Sequence, residues 1–189
     1  TPMSRTVVRY NIFHDLRYAI NLQRSRDGRI YQNVMYNNMF AFFVGGSTES
    51  PDRHPVNDVI ANNTVVNSTS QAIYYNGVLE NVRFQNNIVA TFPTAHYSDG
   101  SSDPSGLVAR QNIYYNAGGT FAYFSGRNYG FDSWQSTFNQ DRTSPASSTT
   151  NPRFVGQSDY RLASDSPART MGVDVLDLDR DGSSTDTIP

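Results

Sequence analysis

Residues 59–75 read VIANNTVVNSTSQAIYY and contain the unit that decides the fold. The unit is a short apolar strand, an Asn, an apolar pair, a variable turn, and an Ala that opens another apolar strand. The anchoring Asn recurs along the chain, at Asn11, Asn33, Asn63, Asn87 and Asn112. Successive anchors are 22, 30, 24 and 25 residues apart. An Ala follows each anchor, at Ala19, Ala41, Ala72, Ala95 and Ala122.

A repeat of this length, built from two or three short strands with turns between them, is typical of a parallel β-helix. Strands of successive coils lie about 4.8 Å apart in such a fold, so equivalent residues form columns. We expect the Asn column to be structural, with each Asn in an αL turn at a corner and bonded to its equivalents above and below. The sequence therefore predicts an all-β, right-handed parallel β-helix of about five to six coils with an irregular C-terminal closing segment.

The length of 189 residues suits one domain, and the repeat fades after Phe124. We predict β-helix coils over residues 1–128, a loop rich in Ser, Thr and Asn over 129–150, and the closing segment over 151–189. The first repeat begins within the first ten residues, and no amphipathic helix precedes it. An uncovered β-helix end exposes unpaired backbone groups, so we expect further N-terminal β-helix coils or a second chain to cover it.

The composition removes several classes of function. All 15 basic side chains are Arg and the chain contains no Cys, which excludes lysine and cysteine chemistry. The net charge of -2 and the pI near 5.8 argue against a nucleic-acid partner. No apolar run reaches the roughly 18 residues of a membrane span. The opening residues also lack the basic and then apolar pattern of a signal peptide.

Alternation within the strand after each Ala predicts a strip of outward aromatic rings. The predicted members of this strip are Phe43, Tyr74, Tyr97 and Phe124. The same alternation turns another set inward, at Ile20, Phe42, Ile73, His96 and Tyr123. Sugars present apolar C–H faces that lie flat on aromatic rings, so the strip is a candidate substrate-binding surface. The alternative, that the rings only cover one another, stays open.

Most of the remaining candidate catalytic and ligand-binding side chains lie in or near the first two coils, where the turns carry His and Arg. The interval of 30 residues includes an inserted turn over 45–58, and inserted solenoid loops often carry function. The candidate catalytic residues are His14, Asp15, Arg17 and His54. Further candidate substrate-binding residues are Arg24, Arg26 and Arg53. A solvated charged edge is the alternative interpretation.

The closing segment carries recognisable motifs. They are Trp134-Gln135, Asn151-Pro152-Arg153-Phe154-Val155, Asp159-Tyr160-Arg161-Leu162 and Ser166-Pro167-Ala168. With these motifs the chain resembles the C-terminal part of bacterial right-handed parallel β-helix repeat proteins, in the pectate-lyase-like superfamily. The resemblance implies a secreted or cell-surface bacterial protein that acts on polysaccharide. The active-site motifs of polygalacturonases and alginate epimerases do not occur here, so no catalytic residue is carried over.

Two classes of function follow, and both have polysaccharide as the partner. The first is a polysaccharide lyase, in which Arg neutralises a uronate carboxylate and His14 or His54 removes the adjacent proton. A glycoside hydrolase would instead need two carboxylates, such as Asp15 with Glu49 or Asp52. The second class is a non-catalytic glycan-binding or structural β-helix module of a larger secreted protein.

The C-terminal tail suggests a cation. Its alternating carboxylates precede a Gly, as in the first half of a calcium loop, and the candidate ligands are Asp177, Asp179 and Asp181. The twelfth position of such a loop is Ile188 instead of a bidentate Glu. A calcium site and a purely structural turn therefore both remain open.

Overall fold

The computed structural model describes residues 3–45, 54–98, 104–142 and 147–175, and these form a parallel β-helix. The predicted fold class is confirmed. Sheet 1 contains β2 (Val7–Arg9), β6 (Arg29–Tyr31), β9 (Val59–Ala61), β12 (Val82–Gln85) and β15 (Leu107–Arg110). Sheet 2 contains β3 (Ile12–His14), β7 (Val34–Tyr36), β10 (Thr64–Val66), β13 (Ile88–Phe92) and β16 (Ile113–Ala117). Sheet 3 contains β4 (Tyr18–Gln23), β8 (Phe40–Gly45), β11 (Gln71–Asn76), β14 (Thr94–Ser98), β17 (Ala122–Phe124) and the antiparallel β18 (Arg127–Tyr129).

Each coil contributes one strand to each of the three sheets. The chain makes about four turns between the first and the fifth strand of a sheet, slightly fewer than the predicted five to six coils. Two short strands, β1 (Met3–Ser4) and β5 (Ser25–Arg26), pair beside the first coils. The core fills the space between the sheets with wholly buried side chains such as Ile30, Met35 and Phe84. Stacked coils therefore bury one continuous core.

The Asn column forms the predicted ladder. The backbone N–H of Asn33 donates to Oδ1 of Asn63 at 3.1 Å, and that of Asn63 donates to Oδ1 of Asn87 at 3.0 Å. Asn87 donates in the same way to Asn112 at 2.9 Å. Asn11 is the exposed end of the column, while the other four members are buried. These buried amides are bonded to one another, as an interior polar group requires.

The ladder residues do not themselves adopt the αL conformation, contrary to our expectation. The residue before each buried ladder Asn has a φ of 51–54°, at Gln32, Asn62, Asn86 and Gln111. The αL residue turns the chain, and the following Asn then points its amide inward along the stack. Asn and Gln at these corners form a second, outer row of amides.

Residues 131–138, which fall in the predicted loop, form a helix instead. Helix α1 (Phe131–Phe138) ends at Asn139, which has a φ of 53°. Its apolar residues Phe131, Trp134 and Phe138 fall on one face, and Trp134 is wholly buried against the last coil. The helix therefore caps the C-terminal end of the core. A second short helix, α2 (Ala168–Met171), lies within the closing segment.

The first coil is the outermost one among the described residues. Strands β2, β3 and β4 are terminal in their sheets, and Val7, Tyr10 and Ile12 are 55%, 69% and 66% exposed. That further coils or a second chain cover this end stays a prediction.

Candidate functional site

His14 and Asp15 form a hydrogen-bonded pair, as expected if Asp15 orients the imidazole. Nδ1 of His14 lies 2.6 Å from Oδ2 of Asp15, and both side chains are about half exposed or more. His14 ends β3 and lies on the outer face of sheet 2, because its neighbour Phe13 packs against the core. Its ring stacks on Tyr36 of the next coil, with centroids 5.0 Å apart and planes within 6°.

The closing segment crosses the same outer face of sheet 2 and leaves a groove beneath it. Tyr160 packs on Tyr36 with ring centroids 5.4 Å apart, so a continuous contact joins His14 to the closing segment. The groove has a volume of about 1200 Å³. Its walls include Ile12, Tyr36, Asn37, Asn62, Tyr160 and Arg161.

Arg161 supplies the positive charge in this groove, and an acidic neighbour holds it in place. Nε and Nη2 of Arg161 donate to the carboxylate of Asp159, at 2.6–3.1 Å. These bonds lower the pKa of Asp159 to about 2, so the pair stays charged at neutral pH. Among the described contacts Nη1 of Arg161 has no protein acceptor, which leaves it as a donor toward a ligand.

Arg17 lies in the same turn as Asp15, whereas the other described basic candidates lie at a different corner. Arg17 is two residues after Asp15, and its guanidinium lies 5.2 Å from the ring centroid of Tyr18, the first residue of β4. Arg24 and Arg26 lie beyond β4, a six-residue strand that spans roughly 20 Å. His54 lies at that far corner too, because Val56, two residues later, bridges to Arg26.

His54 is not an exposed base. Its side chain is 9% exposed, and Nε2 lies 3.0 Å from Oε2 of Glu80. His14 and His54 therefore face different corners and do not form one site, because solenoid neighbours in sequence are separated by the strand between their turns. Arg53 lies outside the described residues, so the structure does not place it.

The outward aromatic strip exists on sheet 3, but its predicted last member was wrong. Phe43, Tyr74 and Tyr97 are in register on adjacent strands, whereas Phe124 is 1% exposed and faces the core. Tyr123, expected inward, pairs with Tyr97 and takes the outward position. Ala122 pairs with His96 instead of with Ala95, so the fifth Ala lies one residue out of register. A shift of one residue exchanges the two faces of a strand.

The rings of the strip cover one another. Tyr97 stacks on Tyr123 with centroids 5.1 Å apart and planes within 13°, and Tyr74 stacks on Tyr97 at 5.6 Å. Phe43 is 7% exposed. The ring faces are therefore turned toward neighbouring coils, and a sugar approaching from solvent meets ring edges and hydroxyl groups instead.

A network of buried polar side chains lies beneath α1, and the sequence did not reveal it. His96 contacts two hydroxyls at 2.9 Å, through Nδ1 to Tyr75 and through Nε2 to Tyr114. Asp141 accepts from Nε1 of Trp134 at 3.0 Å. Burial lowers the pKa of His96 to about 3 and raises that of Asp141. The network lies far inside the core, so we assign it a structural role.

The predicted calcium ligands, Asp177, Asp179 and Asp181, lie outside the described residues. Within the part of the chain that the structure describes, no three acidic or His side chains cluster as metal ligands would. None of the helices in that part is long and apolar enough to cross a membrane.

No family model, curated protein or solved structure matches this chain. The site must therefore be interpreted from its own geometry. Its strongest feature is the groove on sheet 2, whose wall residue Tyr36 stacks on His14.

Proposed function

We propose that the protein is a secreted or cell-surface carbohydrate-active protein, a lyase that acts on an acidic polysaccharide with His14 as its base. The observation that carries this proposal is the 2.6 Å pair of His14 and Asp15 beside the groove. Asp15 accepts the Nδ1 proton, which fixes the ring and leaves Nε2 as the nitrogen that can take a proton. The family resemblance of the closing segment supports the substrate class and the compartment.

The groove offers what β-elimination needs. A uronate carboxylate must first be neutralised so that the adjacent C–H becomes acidic, and Nη1 of Arg161 is the donor within the groove. Nε2 of His14 then takes that proton. The electron pair forms a carbon–carbon double bond, the bond from the β-carbon to the glycosidic oxygen breaks, and the departing oxygen takes a proton from water.

Tyr36 connects the two groups. Its ring lies between the imidazole of His14 and the ring of Tyr160, and Arg161 follows Tyr160 in the chain. The closing segment therefore brings the guanidinium to the same side of the β-helix as the base. Docking of this segment on sheet 2 is thus part of the proposed site.

Ultraviolet absorbance of unsaturated uronides, measured across oligogalacturonate, alginate and hyaluronan, tests the proposal. We expect one of these polymers to give product, and we expect His14→Gln to lower the rate by at least about 100-fold, the usual contribution of a positioned base. Asp15→Asn should lower the rate less, because this substitution loosens the orientation of the imidazole without removing the base. Product formation that persists in His14→Gln but disappears in His54→Gln would move the reaction to the other corner and refute the assignment.

A non-catalytic glycan-binding module is the second candidate, supported by the row of Tyr hydroxyls along sheet 3. Tyr74, Tyr97 and Tyr123 lie on adjacent strands, so their spacing follows the coil repeat. Polysaccharide retention in an affinity gel, without any product, would favour this function. In that case, loss of retention in Tyr74→Ala and Tyr97→Ala would locate binding on sheet 3 instead of in the groove.

A further inference from the structure

The αL corners between sheets 1 and 2 place a row of amides on the outside of the β-helix. We call Gln32, Asn62, Asn86 and Gln111 the outer amide column; each precedes a buried ladder Asn and has a φ of 51–54°. The column stands beside the groove, because Gln32 and Asn62 border the chamber of about 1200 Å³. A second chamber of about 300 Å³ is bordered by all four members.

Asn86 shows which groups a side chain of the outer amide column can bind. Its Nδ2 donates to the backbone carbonyl of Val173, and its Oδ1 accepts from the backbone N–H of Val173 at 3.3 Å. One side-chain amide thus pairs with the donor and the acceptor of a backbone residue at once. This contact is part of what holds the closing segment against the coils.

Asn62 is the equivalent residue one coil earlier and has the same backbone conformation. Its φ of 54° equals that of Asn86, and Thr64, two residues later, pairs in register with Ile88. Yet Nδ2 of Asn62 is shielded from solvent and has no hydrogen-bond partner among the described residues. A buried donor without a partner is unfavourable, so this amide is suited to a ligand acceptor.

Asn62 also borders both chambers, together with Gln32, Thr64 and Leu162. A ligand that fills the large chamber therefore lies against this residue. His14 lies two coils away, roughly 10 Å along the axis of the β-helix.

We propose that the groove binds a glycan that carries acetamido groups, one of whose carbonyls accepts from Nδ2 of Asn62 as the carbonyl of Val173 accepts from Nδ2 of Asn86. This inference rests on the proposed function and narrows its substrate class. The carbonyl of an acetamido group is an acceptor of the same kind as the backbone carbonyl of Val173, and Nδ2 of Asn62 is the unpartnered donor that it would accept from.

A peptide would fit this site less well. Extended peptides bind by adding a strand to a sheet edge, where backbone groups are unpaired. Here the floor of the groove is the face of sheet 2, whose central strands already pair on both sides. A glycan needs only side-chain donors, acceptors and rings, and the groove supplies Asn62, Asn37, Tyr36 and Tyr160.

Titration calorimetry with two matched trisaccharides tests the inference. The N-acetylglucosamine trimer and cellotriose share a backbone, and only the first carries acetamido groups. We expect the acetamido trimer to bind about tenfold more tightly, and we expect Asn62→Gly to remove that preference, since a bond of this kind contributes about that factor. Gly keeps the αL backbone without strain. Asn81→Gly is the control, because Asn81 is an exposed αL residue at another corner and should leave the preference intact.

The outcomes separate the two proposals. Equal affinity for both trimers, or a preference that survives Asn62→Gly, would overturn the acetamido site. The lyase proposal would still stand if the uronide polymers gave product. Tighter binding of an N-acetylated tripeptide than of either sugar would assign the groove to a peptide and overturn the inference.

Discussion

Truncating Asn63 to Ala would remove the central member of the Asn ladder. Oδ1 of Asn63 accepts from the backbone N–H of Asn33 at 3.1 Å and from its Nδ2 at 3.0 Å. Nδ2 of Asn63 donates at 3.0 Å to the carbonyls of Ile30 and Ala61 and to Oδ1 of Asn87. Asn63 is 1% exposed, so water cannot readily replace these partners.

The expected cost follows from what is left behind. The backbone N–H of Asn33 becomes a buried donor without its acceptor, which costs roughly 1–3 kcal/mol. Loss of the carbonyl bonds made by Nδ2 adds about 1 kcal/mol each. We therefore expect Asn63→Ala to lower the free energy of unfolding by about 4 kcal/mol, which lowers Tm by roughly 8–16 °C for a chain of this size.

Urea and thermal unfolding followed by circular dichroism measure this effect, with Asn11→Ala as the matched control. Asn11 occupies the exposed end of the same column, where water can take over its bonds. The control should therefore cost less than about 1 kcal/mol. Equal losses in the two variants, or a loss under about 1 kcal/mol in Asn63→Ala, would refute the view that the ladder acts as a stack of satisfied buried amides.

Two further predictions concern the core. Burial lowers the pKa of His96 to about 3 in the folded chain, whereas His in the unfolded chain takes up a proton below about pH 6.5. Between about pH 6.5 and pH 3, acid therefore lowers the free energy of unfolding by up to roughly 1.4 kcal/mol per pH unit. The raised pKa of Asp141 acts in the opposite direction. The His96 contribution is therefore isolated by comparing the free energy of unfolding of wild type and His96→Gln in urea melts at several pH values. A difference between the two proteins that does not change with pH would reject this prediction. Phe124→Ala should lower the free energy of unfolding by about 3–5 kcal/mol because Phe124 is buried, whereas Tyr123→Ala should lower it by about 1 kcal/mol or less. A larger loss of thermal stability in Tyr123→Ala than in Phe124→Ala would contradict the register of the fifth coil.

The repeat made the fold predictable because every coil must present the same residue types at the same corners. The ladder from Asn11 to Asn112 could be recognised from spacing alone, since a buried amide is useful only when its neighbours in the stack repeat it. The face of a strand was harder to predict. One extra residue between Asn112 and Ala122 turns Tyr123 outward and Phe124 inward. The strand propensities of these residues do not reveal such a shift in register.

The candidate site was only partly predictable. Asp15 follows His14 directly, so their pairing could be expected from the sequence. His14 and His54, the two alternative bases, lie at different corners because a six-residue strand separates them. Tyr160 and Arg161 carried a recognisable motif, but nothing local in the sequence tells which sheet the closing segment will cross. Sites built by such long-range packing require the tertiary structure.

Nuclear magnetic resonance of the labelled protein tests the central claim most directly, by titration with an acidic oligosaccharide from the polymer that gives product or is retained. We predict that the backbone signals of His14, Tyr36 and Arg161 shift together and saturate together, because Tyr36 and Arg161 line the groove and His14 stacks on Tyr36. Shifts confined to Tyr74 and Tyr97 would place the glycan on sheet 3 and contradict the account.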